Sequence, residues 1–421
     1  MHPIFDIVGI GFGPSNLALA IALTEHNEQA ETPVTAVFLE RQQTFGWHRG
    51  MLLDDATMQV SFLKDLVTMR NPASRFSFLC YLKDRDRLVD FVNHKNLFPL
   101  RAEFHDYFEW AAAQVDDLVS YGAEVVGVEA VQDDLFEVTT ATGDVYHARN
   151  LVFATGLRPT VPEGVALSDR VWHNSQFLHR IGELTDPKRC VVVGAGQSAA
   201  EAVAHLHREF PGAEVCSVFS RYGYSPADDS SFANRIFDPE AVDHYFDAPD
   251  AVKRQLMDYH RNTNYSVVDV DLIAQLYRTA YREKVLGVER LRMMNMTRLV
   301  AVEESADGAR AVVQSLVTGE QELLDADLVL LATGYDEAAP ALGGLDATCA
   351  RDEAGRLVVG RDYRLQSTAR GGIYLQGGTE HSHGITSSLL SNVAVRSGEI
   401  LASVLANTPL ATTPVPVLAT A

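Results

Sequence analysis

The chain has 421 residues, 47% of them hydrophobic and 22% charged, and its 35 Lys and Arg against 56 Asp and Glu give a formal net charge of −21. That length exceeds one compact core and predicts two or three packed units, while the acidic balance argues against nucleic acid or an anionic membrane as partner. No apolar run reaches the roughly 20 residues that span a bilayer, no signal-like segment precedes the first strand, and the four cysteines show no C-x-x-C or metal spacing; the expected address is the cytoplasm.

In chain order, Phe5 to Gly11 reads as a buried strand and Leu17 to Leu23 as the apolar start of a helix, with the turn Gly11-Phe12-Gly13-Pro14-Ser15-Asn16 between them. A second strand, Thr35 to Glu40, ends in an acid and completes a βαβ unit. The same grammar returns later. Arg189 to Val193 is a strand, Gly194-Ala195-Gly196-Gln197-Ser198-Ala199 a turn, Ala200 to His207 a helix and Glu214 to Ser220 the next strand. Two apolar strands, Asn150 to Gly156 and Asp327 to Gly334, both end in Ala-Thr-Gly and read as strands returning to a nucleotide sheet. A polar, aromatic stretch from about Tyr222 to Tyr281 is not required by either unit and is a candidate substrate insertion. Gly372 to Gly378 reads as a strand and Ser387 to Leu405 as a helix, followed by a Pro/Thr/Ala tail expected to be disordered over 409–421.

The fold class is therefore α/β, with two Rossmann-like dinucleotide-binding domains and a small, mostly helical insertion. In each turn the first Gly permits the bend and the second lets the backbone approach a pyrophosphate at the helix N-terminus. Gly11 and Gly13, then Gly194 and Gly196, fit those roles. The third position departs from glycine, being Asn16 in one turn and Ala199 in the other. Glu40 is placed to accept hydrogen bonds from ribose hydroxyls, or is simply a surface acid at a strand end. The second unit offers Ser220 and Arg221 instead, which suit a 2′-phosphate and favour NADPH over NADH.

Lys64 in an apolar segment invites an anionic ligand, or it snorkels to the surface and pairs with Asp65. Gln59 reads as a strand-edge polar residue, Trp47 as core packing or cofactor support, and Asp228 and Asp229 as solvated loop charges. Thr379-Glu380-His381-Ser382-His383 superficially suggests a metal site, but histidines two apart do not share a helix face and no third ligand is spaced to join them; no metal is expected. The histidines, with His48, are expected to line the cofactor or the pocket mouth.

Paired nucleotide units with matching Ala-Thr-Gly strands resemble the flavoprotein monooxygenases that bind FAD in the first domain and NADPH in the second. Phe45-Gly46-Trp47-His48-Arg49-Gly50-Met51, Met58 to Leu66, Arg70-Asn71-Pro72 and Asn262-Thr263-Asn264-Tyr265-Ser266-Val267-Val268 narrow the resemblance to the L-ornithine N5-hydroxylases of siderophore biosynthesis and their L-lysine N6-hydroxylase relatives. The similarity runs from about residue 5 to 405. It implies FAD contacts from Gly11, Gly13, Pro14, Asn16, Glu40, Trp47, His48 and Gln59, and NADPH contacts from Gly194, Gly196, Gln197, Ser198, Ser220, Arg221, Thr263 and Asn264. It further implies that Lys64, Asn234, Asn264, Leu389 and Ser391 bind substrate, and that Asn264, Gln59 and Ser391 serve the reaction. Where related flavoproteins carry an Asp after a late glycine, Gly378 stands here.

The implied reaction is hydroxylation of the neutral side-chain amine of L-ornithine by O2 through a C4a-hydroperoxyflavin, with lysine as the alternative substrate and a general amine or sulfide oxygenase as a more distant one. An alkylamine has a pKa of about 10.4 in water, so uncharged partners such as Asn264 and Ser391 suit the free-base form where a carboxylate would not. The expected domains are an FAD-binding domain of 1–165 and 322–408, an NADPH-binding domain of 166–222 and 279–321, and the insertion 223–278. The resemblance also implies a homo-oligomer, a dimer or tetramer.

Overall fold

The structure, a computed structural model, describes residues 3–132, 134–305 and 308–407, without the side chains of 261, 262, 264 and 305. The 409–421 tail lies outside the described residues.

The first unit runs β1 (Ile4–Ile10), α1 (Pro14–Asn27), β2 (Ala36–Glu40), α2 (Phe78–Asp84), α3 (Leu88–His94), α4 (Arg101–Ala113), β3 (Val119–Tyr121), β4 (Val125–Gln132), β5 (Leu135–Thr140), β6 (Val145–Phe153) and β7 (Leu157–Pro159). The second runs β8 (Val171–His173), α5 (Phe177–Arg180), β9 (Arg189–Val193), α6 (Gln197–Glu209), β10 (Glu214–Val218), α7 (Pro239–Asp247), α8 (Asp250–Asn264), α9 (Val270–Leu286), β11 (Leu291–Met294), β12 (Thr297–Ser305), β13 (Gly308–Ser315), β14 (Gln321–Ala326) and β15 (Leu328–Leu331). The chain then re-enters the first unit through β16 (Tyr335–Glu337), β17 (Gly372–Leu375), α10 (Glu380–His383) and α11 (Val393–Asn407).

The first sheet has the order β3-β2-β1-β6-β5-β4, and the carboxyl half of β6 pairs in parallel with β17. β1 is apolar on both faces, as a central parallel strand must be. Ile7 joins the layer beneath α1, α4 and α11, while Val8 and Ile10 join the opposite layer with Phe136, Val138 and Leu365. The second sheet has the order β11-β10-β9-β15-β8. Its β9 alternates likewise, with Cys190 and Val192 facing α6 and Val191 and Val193 facing the antiparallel β12-β13-β14 meander. The two connections between the units, β7 and β16, pair antiparallel.

Both Ala-Thr-Gly segments do the same job. The Ala154 N–H donates to the Ile10 carbonyl and the Ala332 N–H to the Val193 carbonyl. A Cβ on Gly11, whose φ is +85°, would lie 2.5 Å from the Ala154 oxygen; one on Gly194, at φ +147°, would lie 2.2 Å from the Ala332 oxygen. Glycine is thus required where each turn crosses its neighbouring strand.

Three sequence expectations move. β14 and β15, placed in the FAD domain from residue 322, belong to the second unit, because β15 is hydrogen-bonded between β9 and β8; the chain leaves that unit only after Leu331. α9 packs on α6 and leads into β11, so the insertion closes before Val270 rather than at 278. The helix expected over 387–405 begins at Val393, because Gly384 at φ +75° starts two short 3-10 turns, Ile385–Ser388 and Leu390–Asn392.

Candidate functional site

At the first turn, Pro14 occupies the first helical position of α1, where its missing N–H costs nothing. A Cβ on Gly13 would meet no atom within 4 Å, leaving open space at the helix N-terminus. Asn16 is fully buried: its Nδ2 donates to the Gly11 carbonyl at 2.7 Å and its Oδ1 accepts from Gln376 Nε2 at 3.0 Å. The departure from a third glycine is therefore a polar brace between the turn and β17. Glu40 is buried as well, and its two oxygens accept the backbone N–H groups of Phe12 (2.6 Å) and Gln42 (2.9 Å), so it holds the turn from the other side.

An open depression lies at the carboxyl ends of β6 and β17, lined by Phe153, Thr155, Gly156, Gln376, Gly377 and Gly378. This is where open α/β sheets bind ligands. Gln376 Oε1 is buried there with no hydrogen-bond partner among the described residues. Gly377 and Gly378 have φ of +104° and +70°, and an added Cβ on either would meet only distant carbonyls.

The second turn is built alike but less braced. Gly196 caps α6, and an added Cβ would sit 3.4 Å from Ser266 Cα. Gln197 accepts the Asp269 N–H at 2.8 Å and donates to Glu201 at 3.0 Å. Ser198 is half-buried and Ser220 exposed. Arg221 donates to the Ser266 carbonyl at 2.8 Å. Thr263 Oγ1 donates to the His260 carbonyl. Asn264 ends α8, and its side chain lies outside the described residues.

Lys64 does not pair with Asp65. The Asp65 carboxylate is 2% exposed and turns inward to accept the N–H groups of Val67, Thr68 and Phe78, fixing the loop that carries Lys64. Lys64 Nζ instead stands 5.5 Å from the centre of the Phe237 ring, and among the described residues no carboxylate lies within 4 Å of it. Burial pushes its ammonium below the ordinary lysine range, against the pull of Asp238. Asn234 is in the same 3-10 segment as Phe237, Ala233–Phe237, and donates to the Asp229 carbonyl at 2.7 Å. Lys64 and the Asn234 segment are thus brought together.

Ser391 is 2% exposed, and its Oγ has no hydrogen-bond partner among the described residues. It sits in the Leu390–Asn392 turn after the half-buried Leu389, whose extended backbone breaks the two 3-10 segments. Gln59 is exposed in the irregular segment before Lys64 rather than at a strand edge.

The histidines are corrected in part. His383 is 1% exposed, stacks on Tyr363 at 4.1 Å, donates from Nε2 to the Arg361 carbonyl and meets Ser382 Oγ through Nδ1. Both ring nitrogens are used inside the protein. His381 Nε2 donates to the Leu357 carbonyl. His48 adopts φ +55° beside Tyr335, and burial, aided by Arg101 and His173, pushes its imidazole down to about 4. Trp47 packs edge-on against Phe108 at 5.3 Å. Among the described residues no three His, Cys, Asp or Glu are grouped to hold a metal ion, and no helix is long and apolar enough to cross a membrane.

Sequence reasoning missed Gln376 and Arg396. Arg396 is 2% exposed, donates to the carbonyls of Thr386 and Ser387, and reaches Ser15 Oγ at the N-terminus of α1. Its only sequence signal was a charge in an apolar helix start. The open space at Gly13, the unpartnered Gln376 oxygen and the α1 N-terminus suit a dinucleotide with a polar ring edge, so the residues present fit FAD.

The family described as L-lysine 6-monooxygenase/L-ornithine 5-monooxygenase matches residues 3–337. A curated L-ornithine N(5)-monooxygenase of Burkholderia cepacia is 42% identical over 402 residues, covering 90% of each chain. A solved ornithine N-hydroxylase of Kutzneria sp. 744, whose description names reduced FAD, NADP+ and L-ornithine, is 47% identical with a TM-score of 0.92, over 96% of this chain and 99% of that one. An L-lysine 6-monooxygenase of Pseudomonas syringae is 33% identical with a TM-score of 0.85, over 96% of this chain and 100% of that one. With its two nucleotide turns and its unmatched Lys64, the chain belongs to the L-lysine 6-monooxygenase/L-ornithine 5-monooxygenase family.

Proposed function

We propose that the protein is an FAD- and NADPH-dependent monooxygenase that converts L-ornithine to N5-hydroxy-L-ornithine, a hydroxamate precursor for a siderophore or related peptide. The carrying observation is Lys64, a partly desolvated cation on a loop fixed by Asp65 and without a carboxylate within 4 Å among the described residues. A half-buried cation on which only the more distant Asp238 pulls has room for a closer anion, and the α-carboxylate of an amino acid supplies one. Asn234, in the adjoining segment, serves the same end of the substrate.

Bound FAD, reduced by NADPH, supplies the activated dioxygen. The protein positions the amine. Nitrogen can react only through a free lone pair, so the far end of the site must accept the neutral base. Ser391 offers for that end a buried hydroxyl with no hydrogen-bond partner among the described residues; Asn264 is assigned the same task, and Leu389 is assigned to the substrate pocket. Gln59 lies on the approach to Lys64 and serves the nicotinamide and flavin side. Ornithine is favoured over lysine by the 42% and 47% identical relatives named for it, since a single methylene changes binding by only about 1–3 kcal/mol. The free cysteines Cys80, Cys190, Cys216 and Cys349 accord with a cytoplasmic enzyme, which the reading takes to be a homo-oligomer.

Lys64→Met is expected to raise the KM for ornithine about 100-fold, or about 2.7 kcal/mol, while NADPH still reduces the flavin. The hydroxylated amino acid is scored by mass spectrometry with ornithine and with lysine in parallel. An unchanged KM removes the assignment of Lys64, and product from lysine alone removes ornithine.

A further inference from the structure

A buried ion pair joins the two nucleotide units. Arg101, the first residue of α4, and Glu201, one turn into α6, are 7% and 5% exposed in their side chains and meet in two hydrogen bonds of 3.0 and 2.8 Å. Arg101 also donates to the Met51 carbonyl at 2.9 Å, fixing it to the segment that leads to Gln59 and Lys64. Glu201 accepts from Gln197 at 3.0 Å, and Gln197 in turn accepts the Asp269 N–H at 2.8 Å. One relay thus reaches the first unit, the turn at the α6 N-terminus and the end of the insertion. The units also meet through the β7–β16 pair, the packing of the Arg49–Met51 turn against Asn174–Gln176 and α5, an apolar cluster of Met51, Leu53 and Ala56 with Trp172 and Phe177, and an exposed Arg208–Asp55 ion pair.

A buried pair seldom increases stability over apolar residues of the same shape, so its presence calls for another reason. The reason here is register. Charge-assisted bidentate contacts fix distance and angle together, and a misplacement of about 1 Å at a nicotinamide can cost about 100-fold. We infer that Glu201 is a positioning residue for the nicotinamide nucleotide: held by Arg101 of the first unit, it orients Gln197 and so sets the second turn and the 265–269 segment against the flavin side. This inference rests on the proposed function only in taking that nucleotide to be NADPH.

The test uses the FAD-loaded enzyme with Glu201→Gln, and a second variant, Arg101→Met with Glu201→Met, that removes both charges and leaves neither orphaned. Calorimetric titration with NADP+ is expected to show a Kd raised about tenfold in both. The KM for NADPH should follow, FAD content and the KM for ornithine should stay within twofold, and amide exchange should quicken at 157–159 and 335–337. The double variant is expected to melt near the wild type yet keep the weakened NADP+ binding. If it binds NADP+ as the wild type does, or if the folded Glu201→Gln protein does, the pair is only structural and the inference is overturned. A wild type that binds NADP+ but does not hydroxylate ornithine would overturn the proposed function and leave this inference standing.

Discussion

The two nucleotide turns share a backbone and differ in what braces it. In both, the first glycine abuts the carbonyl of an Ala-Thr-Gly strand, at 2.5 Å for an added Cβ in the first and 2.2 Å in the second. The first turn is then locked by buried polar side chains, Asn16 to Gln376 and Glu40 to the Phe12 N–H. The second has Ala199 and the exposed Ser220 at the corresponding places, and takes its fixing from Gln197 and the end of the insertion. A turn braced from both sides by buried polar side chains suits a nucleotide that stays. An open one, tied to a separate segment, suits a nucleotide that comes and goes.

The largest break in that comparison comes from the glycines. Gly11→Ala should reduce FAD content below about a tenth of wild type while NADP+ binding survives; Gly194→Ala should do the reverse, weakening NADP+ about 100-fold, or about 2.7 kcal/mol, with the flavin absorbance retained. Loss of both ligands in either variant would mean that the turns are not independent. Asn16→Leu comes next. It strands the Gln376 amide and the Gly11 carbonyl, and should lower unfolding free energy by about 3 kcal/mol in denaturant titration, with FAD released before the second unit melts.

Acid should weaken the fold as well. Burial pushes the His383 imidazole down to about 3, whereas the unfolded chain binds the proton near 6.5. Its contribution to stability is therefore complete above about pH 6.5 and is lost as the pH falls toward 3, reaching about 2 kcal/mol by pH 5. Melting measured from pH 7 to 5 should show that loss together with a like one from His48, and His383→Asn should reduce it by its own share. The smallest effect belongs to Arg221→Ala, expected to cut the preference for NADPH over NADH about tenfold, or about 1.4 kcal/mol, in steady-state assays; an unchanged ratio would assign the 2′-phosphate elsewhere.

The strands, turns and helices of both units were legible because they depend on local pattern: glycine at the bend, apolar runs beside it, an acid at the end of β2. What was illegible depended on distant partners. An Ala-Thr-Gly strand carries nothing to say which sheet it joins, and only the pairing with β9 puts β15 in the second sheet. Asp65 next to Lys64 invites an ion pair, yet three backbone N–H groups outcompete the ammonium for its oxygens. Arg101 and Glu201 stand 100 positions apart, and no periodicity links them. Of the candidate site, Lys64 and Ser391 could be named from the resemblance, but that the one has no carboxylate within 4 Å and the other no hydrogen-bond partner among the described residues emerges only from the folded chain.

The hydrogen bond from Gln376 to Asn16 spans 360 positions, and it orders events during synthesis. A ribosome releases residues 171–331, and with them every strand of the second sheet, before β17 and α11 exist. The second unit can therefore fold while the nascent first unit still lacks a strand, a helix and the brace of its own turn. Flavin loading must wait for the carboxyl end of the polypeptide, and chains cut short of residue 372 would emerge with one nucleotide cradle finished and the other half-built.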